Sequence, residues 1–413
     1  YLRESYAKTV HVPRPGCTLE RWLEIAEIAY RASSTVSGSA DDALSHAPGQ
    51  ATTGIFYDLP EEQHAAYEQF RDTHYPGAVV QFAGESGGDI VPPVVPPEPP
   101  SGLYIPYGAK LGIHALAPGG TPEYAAALAQ AGAPVAVIKA VEDWGYLRLV
   151  KEASPQTLTI ARKIQPFDGA GGIQDMTLEQ IQTAAAQYMA AYHDYLVQQS
   201  QYDNGHRLAY IDYLELLNEP DPPGADGYRN LAWLIIAMLD IGESWELPVR
   251  HFACGGLNAG TPEWDEILAV ANTGLLERIA YGDHVLTLHE GVLPFSDPID
   301  KFWPGSIPGA PPVERAGALC GRYRYWLHIA QEHGLHLPIV ISEFYSGPDY
   351  DPAHAADVIG RMAWYDNLVK DDPEILSYLP FTCGDWGQQN YSPFLPVFQQ
   401  YAIDVRERQN ATP

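Results

Sequence analysis

The stretch Tyr210-Ile211-Asp212-Tyr213-Leu214-Glu215-Leu216-Leu217-Asn218-Glu219-Pro220 is a short apolar run that stops at an amide, a carboxylate and a proline. Residues 228–244 follow with apolar positions at helical spacing. A strand signal and then a helix signal form the repeating unit of α/β folds. Working outward, comparable apolar runs lie at 111–116, 134–141 and 157–164 on one side. On the other side they lie at 251–257, 284–288, 338–341 and 375–381. Helix-like stretches at 177–199, 312–333, 353–369 and 392–406 separate several of them. Eight runs alternating with helices predict a (β/α)8 barrel over 104–413. A doubly wound sheet is the alternative, but no glycine-rich phosphate loop follows the first run.

The remainder of the chain reads differently. Residues 85–103 hold a proline-dense segment, Pro92 to Pro100, whose missing N–H groups suit an extended spacer rather than a helix or central strand. Residues 1–84 are therefore expected to form a small α+β module of unknown role. In it Thr18 can cap a helix carrying Trp22, Ile25, Ile28 and Ala29 on one face. A second helix is expected at 60–74 and a strand at 77–82. His64 and His74 are read as surface residues.

Composition narrows the function classes. The 413 residues carry 24 Lys+Arg against 52 Asp+Glu, a net charge of −28, which repels phosphate backbones and anionic membrane surfaces. Nucleic-acid partners are not expected. No apolar run approaches the ~18 residues of a membrane-spanning helix, so membrane insertion is not expected either. Cys17, Cys254, Cys320 and Cys383 have neither disulfide-framework nor zinc-site spacing and are expected as free thiols. The opening at Tyr1, without Met or a leader-like segment, suggests a processed or trimmed product. With few lysines, many prolines and an acidic surface, a secreted setting is expected.

In a barrel of this kind chemistry gathers where strands end. The residues just past the runs are His114, Glu142-Asp143-Trp144, Arg162-Lys163, Asn218-Glu219, Asn258, His289-Glu290, Ser342-Glu343-Phe344 and Asp385-Trp386. Glu219 after the fourth run and Glu343 after the seventh face each other across the expected mouth. Two carboxyl groups flanking one bond are what glycoside hydrolysis needs. Trp144, Tyr146, Phe302, Trp303, Tyr345 and Trp386 would supply flat apolar faces, which suit the C–H faces of sugars. The proline-rich segment 292–312 is expected to form one wall of a cleft.

Asn218-Glu219-Pro220, then His289, then Ser342-Glu343-Phe344, then Trp386, resembles the large clan of retaining (β/α)8 glycoside hydrolases that includes cellulases, β-mannanases, β-glucosidases and β-xylosidases. The resemblance covers about three quarters of the chain. It implies hydrolysis of a β-linked glycan with Glu219 as acid/base and Glu343 as nucleophile, without metal or organic cofactor. It further implies that Asn218 meets the sugar 2-hydroxyl, that His289 lies beside the nucleophile and that Trp386 lies under the sugar. His114, Tyr345 and Trp144 complete the expected substrate-binding set. Two positions depart from the clan: Lys139 stands where many relatives have Arg in the second strand, and Arg162 ends the third where many have His.

Other readings compete. Glu290 is expected to be a supporting charge rather than a catalytic one. Glu215 shares strand parity with Glu219 and is expected to point into the barrel as an ion pair with Lys139 or Arg162. A non-catalytic sugar- or wall-binding barrel and a hydrolase of amino-sugar polymers remain alternatives. A metal-dependent hydrolase using His114, His289 and Asp385 ranks last, because Gly112-Ile113-His114 lacks the His-x-His pattern.

Overall fold

The computed structural model describes strands at 8–12, 35–36, 52–57 and 79–83, and then residues 108–291, 306–347, 350–384 and 389–411. The chain divides into two units, Tyr1–Pro92 and Pro93–Pro413. In the first, β1 (Lys8–Val12), β2 (Thr35–Val36), β3 (Thr52–Tyr57) and β4 (Val79–Ala83) form a parallel sheet in the order β2-β1-β3-β4. The strand expected at 77–82 is β4. The three other strands escaped the sequence reading because they are short and lack clear alternation. The helices expected at 18–29 and 60–74, like the spacer, lie outside the described residues.

The second unit is the barrel. Its strands are β5 (Ile113–Ala115), β6 (Val137–Val141), β7 (Leu158–Arg162), β8 (Tyr213–Leu216), β9 (His251–Leu257), β10 (Val285–Gly291), β11 (Ile339–Tyr345) and β12 (Ile375–Pro380). Each pairs in parallel with its sequence neighbour. The ring closes through parallel bridges Leu111↔Tyr378 and Ala115↔Cys383. Backbone bonds from Gly112 N to Tyr378 O and from Cys383 N to His114 O, at 2.9 and 2.8 Å, complete the seam. Closure removes both sheet edges, so every strand is buried on two faces and reads as a continuous apolar run.

Around the ring lie α1 (Thr121–Gln130), α2 (Leu147–Ala153), α3 (Leu178–Gln199), α4 (Gly224–Glu243), α5 (Trp264–Ala271), α6 (Leu275–Tyr281), α7 (Tyr323–Glu332), α8 (Ala355–Val369) and α9 (Leu395–Ala411). The start of α3 is a capping box. Thr177 Oγ1 accepts from Gln180 N at 3.3 Å, and Thr177 N donates to Gln180 Oε1 at 2.8 Å. The helix expected over 312–333 is much shorter, because it begins only where the buried Glu290 carboxylate accepts Gly321 N and Tyr323 N at 2.7 and 2.8 Å. Helices α1, α2, α5 and α6 were not foreseen; all four are ten residues or fewer.

The barrel interior is layered. Val137, Leu158, Ile160, Tyr213, Ala253, Val285, Leu376 and Leu379 form an apolar plug separate from the outer core between ring and helices. Two residues further along three strands the same inward parity brings Lys139, Arg162 and Glu215. A charged layer thus lies directly above the apolar one, toward the ends where β5–β12 finish. No helix among the described residues is long and apolar enough to cross a membrane.

Candidate active site

The turn after β8 carries the first carboxylate. Leu217 and Glu219 adopt left-handed backbone angles, φ 65° and 49°, on either side of Asn218. Such angles are costly for residues with a Cβ and persist only where neighbours hold them. Three consecutive N–H groups show what holds this turn. Leu217 N donates to Tyr188 Oη of α3 at 3.0 Å, Asn218 N to Asp168 O at 3.1 Å, and Glu219 N to Gly256 O of β9 at 2.8 Å. Gly256 is itself left-handed at φ 48°, and a Cβ there would lie 3.2 Å from Leu217 O. Its lack of a side chain lets β9 approach the turn. The result aims the Glu219 side chain into the mouth, 41% exposed.

The second carboxylate is delivered by a register shift. Leu288 pairs with Ile341, but the next pair is His289 with Glu343, so β11 contains one extra residue there. Bulges commonly re-aim side chains at functional sites. Here the bulge sets His289 and Glu343 directly opposite on adjacent strands. His289 Nδ1 lies 3.3 Å from Glu219 Oε1 and 3.6 Å from Glu343 Oε2. One oxygen of each carboxylate and one nitrogen of this ring all fall within 4.8 Å of one another.

Glu343 is almost entirely buried, and among the described residues four groups face its carboxylate. Tyr345 donates its hydroxyl to Oε2 at 2.5 Å. Lys139 Nζ stands 3.5 Å from Oε1, His114 Nε2 stands 3.7 Å from it, and His289 covers the other side. Burial alone would raise the acid's pKa. The neighbouring His289, Lys139 and His114 and the Tyr345 hydrogen bond outweigh it and hold Glu343 far below the usual carboxylate range. It is an anion at any ordinary pH. His114 is driven the other way: burial and the Lys139 charge keep it neutral, against the pull of Glu343. Its Nδ1 meets Thr382 Oγ1 at 2.6 Å. Its Nε2 faces Glu343 across 3.7 Å, beyond hydrogen-bond reach.

Deeper in the barrel, Lys139 Nζ is 2.6 Å from Glu215 Oε2, and both residues are fully buried. Glu215 therefore points inward as its parity predicts, and its partner is Lys139. Arg162 ends β7 in the cleft wall, with Nη2 bonded to Asp168 Oδ2 at 2.8 Å. Asp168 is fixed in turn by Tyr188 Oη at 2.9 Å and Gln165 N at 3.1 Å. One residue, Asp168, thus anchors Arg162 through its side chain and Asn218 through its carbonyl. The cleft bounded by these groups encloses about 420 Å3 and is lined by His114, Arg162, Asn218, Glu219, Asn258, Glu343, Tyr345, Phe381 and Gln389 among others. Asn218 Oδ1, His114 Nε2 and Arg162 Nε are buried polar atoms without a hydrogen-bond partner in it.

Six residues expected at the site therefore converge on one cleft: Glu219, Glu343, Asn218, His289, His114 and Tyr345. Trp144 does not join them. It is 2% exposed, donates Nε1–H to Arg162 O at 3.0 Å and meets Tyr195 edge-on, so it packs beneath the wall rather than facing the opening. Tyr146 is buried likewise. The turn that follows β6, with Glu142 at φ 67°, directs both inward. Trp386, Asp385, Phe302, Trp303 and most of the expected cleft wall at 292–312 lie outside the described residues. Glu290 holds α7 and the Tyr365 hydroxyl instead of facing the cleft, and burial lifts its pKa to about 7.

Asp168, Tyr188, Gly256, Phe381 and Gln389 went unforeseen. Only Gly256 left a usable signal, since paired glycines inside a strand mark a close backbone approach. Cys254, Cys320 and Cys383 are free and buried, and Cys17 lies outside the described residues. Glu219, His289 and Glu343 could each offer one atom to a cation. Lys139 against Glu343 supplies positive charge there already, which disfavours a metal.

No known protein-family model matches the chain, and no curated protein matches it. Solved structures are similar to it at low identity. One is a glycoside hydrolase family 5 xyloglucan-specific endo-beta-1,4-glucanase from a metagenomic library, solved with cellotriose. It is 11% identical, with a TM-score of 0.41, covering 73% of this chain and 96% of its own. Another is a family 5 enzyme from Prevotella bryantii, 13% identical, TM-score 0.40, covering 74% and 100%. A beta-glycosidase from Pyrococcus horikoshii is 10% identical, TM-score 0.34, covering 70% and 86%.

Proposed function

We propose that the barrel is a retaining glycosidase acting on a β-linked poly- or oligosaccharide. The observation that carries this reading is the approach of the two carboxylates, with oxygens of Glu219 and Glu343 within 4.8 Å of each other across His289. Retaining enzymes hold their carboxyl groups ~5–5.5 Å apart, whereas inverting ones leave ~6.5–9.5 Å for a water.

The two environments divide the labour. Glu343, buried and anionic, is the nucleophile. Its oxygen attacks the anomeric carbon as the glycosidic C–O bond breaks, and Glu219 gives its proton to the departing oxygen. The ester on Glu343 is then cleaved by water. Glu219, now a carboxylate, takes the water's proton as the water oxygen bonds to the anomeric carbon, and Glu343 is released. Glu219 sits at the open edge of the cleft, where leaving group and water both pass. Asn218 Oδ1 accepts from a sugar hydroxyl, and the Phe381 ring offers an apolar face. The acidic composition supports an extracellular setting as part of the same proposal.

The test is reducing-sugar release from β-glucans, mannans, xylans and peptidoglycan, with Glu343→Gln alongside. Trapping with an activated 2-deoxy-2-fluoro glycoside should add one sugar mass to Glu343. Inversion at the anomeric carbon, or full activity in Glu343→Gln, overturns the mechanism. Tight glycan binding without turnover would instead favour a binding barrel.

A further inference from the structure

Lys139 touches two carboxylates at once. Its ammonium is 2.6 Å from Glu215 Oε2 and 3.5 Å from Glu343 Oε1, at the centre of the ring. Both Lys139 and Glu215 are fully buried, and Lys139 is the one cation within ion-pair distance of Glu215 among the described residues. Glu215 lies beneath the cleft and does not line it. Two carboxylates packed this closely in a dry interior cannot both stay ionised unaided; without a cation they share a proton.

We propose that Lys139 and Glu215 are a positioning pair that keeps Glu343 free of a shared proton and keeps the barrel centre charge-balanced when Glu343 becomes covalently occupied. The inference about occupancy rests on the glycosidase reading; the inference about the proton does not. In the resting state one ammonium faces two anions. Once Glu343 is esterified its charge is gone, and Lys139 is left with Glu215 as a neutral pair. Were Glu215 absent, the same step would strand a buried cation, which is costly. Were Lys139 absent, the proton would settle between Glu215 and Glu343.

The other groups facing Glu343 do not replace this pair. His114 on β5 is held neutral by burial and by Lys139 itself. Arg162 on β7 spends its charge on Asp168. His289 on β10 is divided between Glu343 and Glu219. Tyr345 on β11 supplies one neutral hydrogen bond. Among the described residues, Lys139 is the one lysine or arginine within ion-pair distance of Glu343.

The experiment follows the side-chain carboxyl of Glu343 by 13C NMR across pH in the ligand-free protein, assigned with Glu343→Gln. In Lys139→Met the Glu343 titration should move up by about one pH unit or more. Lys139→Met combined with Glu215→Gln should bring it back down, because the competing carboxylate is gone. Lys139→Arg, which preserves charge, should titrate like the parent. Glu215→Gln alone should leave Glu343 no easier to protonate, yet slow fluoro-sugar trapping several-fold.

An unmoved titration in folded Lys139→Met, or a double variant no different from it, overturns the inference. If Lys139→Met does not fold, an upward shift in Glu215→Gln overturns it as well. Turnover is not needed for the titration. Expected titrations without sugar hydrolysis would sink the glycosidase reading and leave the positioning pair standing; hydrolysis with unmoved titrations would do the reverse.

Discussion

Tyr345 donates its hydroxyl to the carboxylate of Glu343, two residues earlier on the same strand, at 2.5 Å. The pair shares a face because side chains two apart on a strand point the same way. It fixes the orientation of the Glu343 carboxylate while leaving Oε1 to Lys139 and His114. Tyr345→Phe removes a hydrogen bond to a charged group, worth about 1.5–3 kcal/mol. Sugar release should fall by roughly ten- to a hundredfold, and the thermal midpoint should drop by a few degrees. Steady-state rates and a melting curve on the same preparation check this; parent-level rates would show that the hydroxyl is dispensable.

Loss of Glu219 should divide substrates by leaving group. Proton donation contributes on the order of 10²–10⁴ in rate. Glu219→Ala should lose that much on natural glycans but far less on aryl glycosides whose leaving group needs no proton, and added azide should accelerate the latter. Equal losses on both substrates would remove Glu219 from the acid role.

Asn218 offers an unpartnered buried Oδ1 to the cleft. Its backbone N–H, not its side chain, ties the turn to Asp168. Asn218→Ala is therefore expected to cut kcat/KM by about tenfold or more, the loss of one hydrogen bond that strengthens in the transition state, and to leave stability near the parent. A large fall in melting temperature with unchanged kcat/KM would assign it a structural task instead.

Glu290 is buried and accepts Gly321 N, Tyr323 N and the Tyr365 hydroxyl. Truncation in Glu290→Ala leaves three donors without an acceptor and should cost about 2 kcal/mol or more. Denaturant unfolding measures it. A loss under half that size would mean that α7 starts without its anchor.

Acid should weaken the fold through His284. The Phe252 N–H donates to His284 Nδ1 at 3.1 Å, so the ring proton sits on Nε2, which faces Glu243 at 2.8 Å. Burial lowers the folded pKa below the ordinary value, despite the opposing pull of Glu243. The unfolded chain thus binds the extra proton first. Stability is full above about pH 6.5, the unfolded value, and declines as pH falls toward the folded one. Glu243 is also held below its ordinary value: its bonds to His284 and Arg278 outweigh burial, and it adds a loss of the same sign at lower pH. Urea midpoints at pH 7 and pH 5 should differ, and His284→Gln should flatten the difference. An equal slope in the variant would place the acid sensitivity elsewhere.

What the sequence determined by itself was the alternation of eight apolar runs with helices, and hence the barrel, because parallel strands buried on two faces need runs of that kind. Strand parity with Glu219 also placed Glu215 inside, and the ends of the fourth and seventh runs named both carboxylates. Only the tertiary structure decided which cation Glu215 meets, that β11 bulges to set Glu343 opposite His289, and that Trp144 turns away from the opening. The physical reason is range. Periodicity is a local property carried by adjacent residues, whereas a bulge register, a left-handed turn held by Tyr188, Asp168 and Gly256, and a shared ammonium arise between segments far apart in the chain.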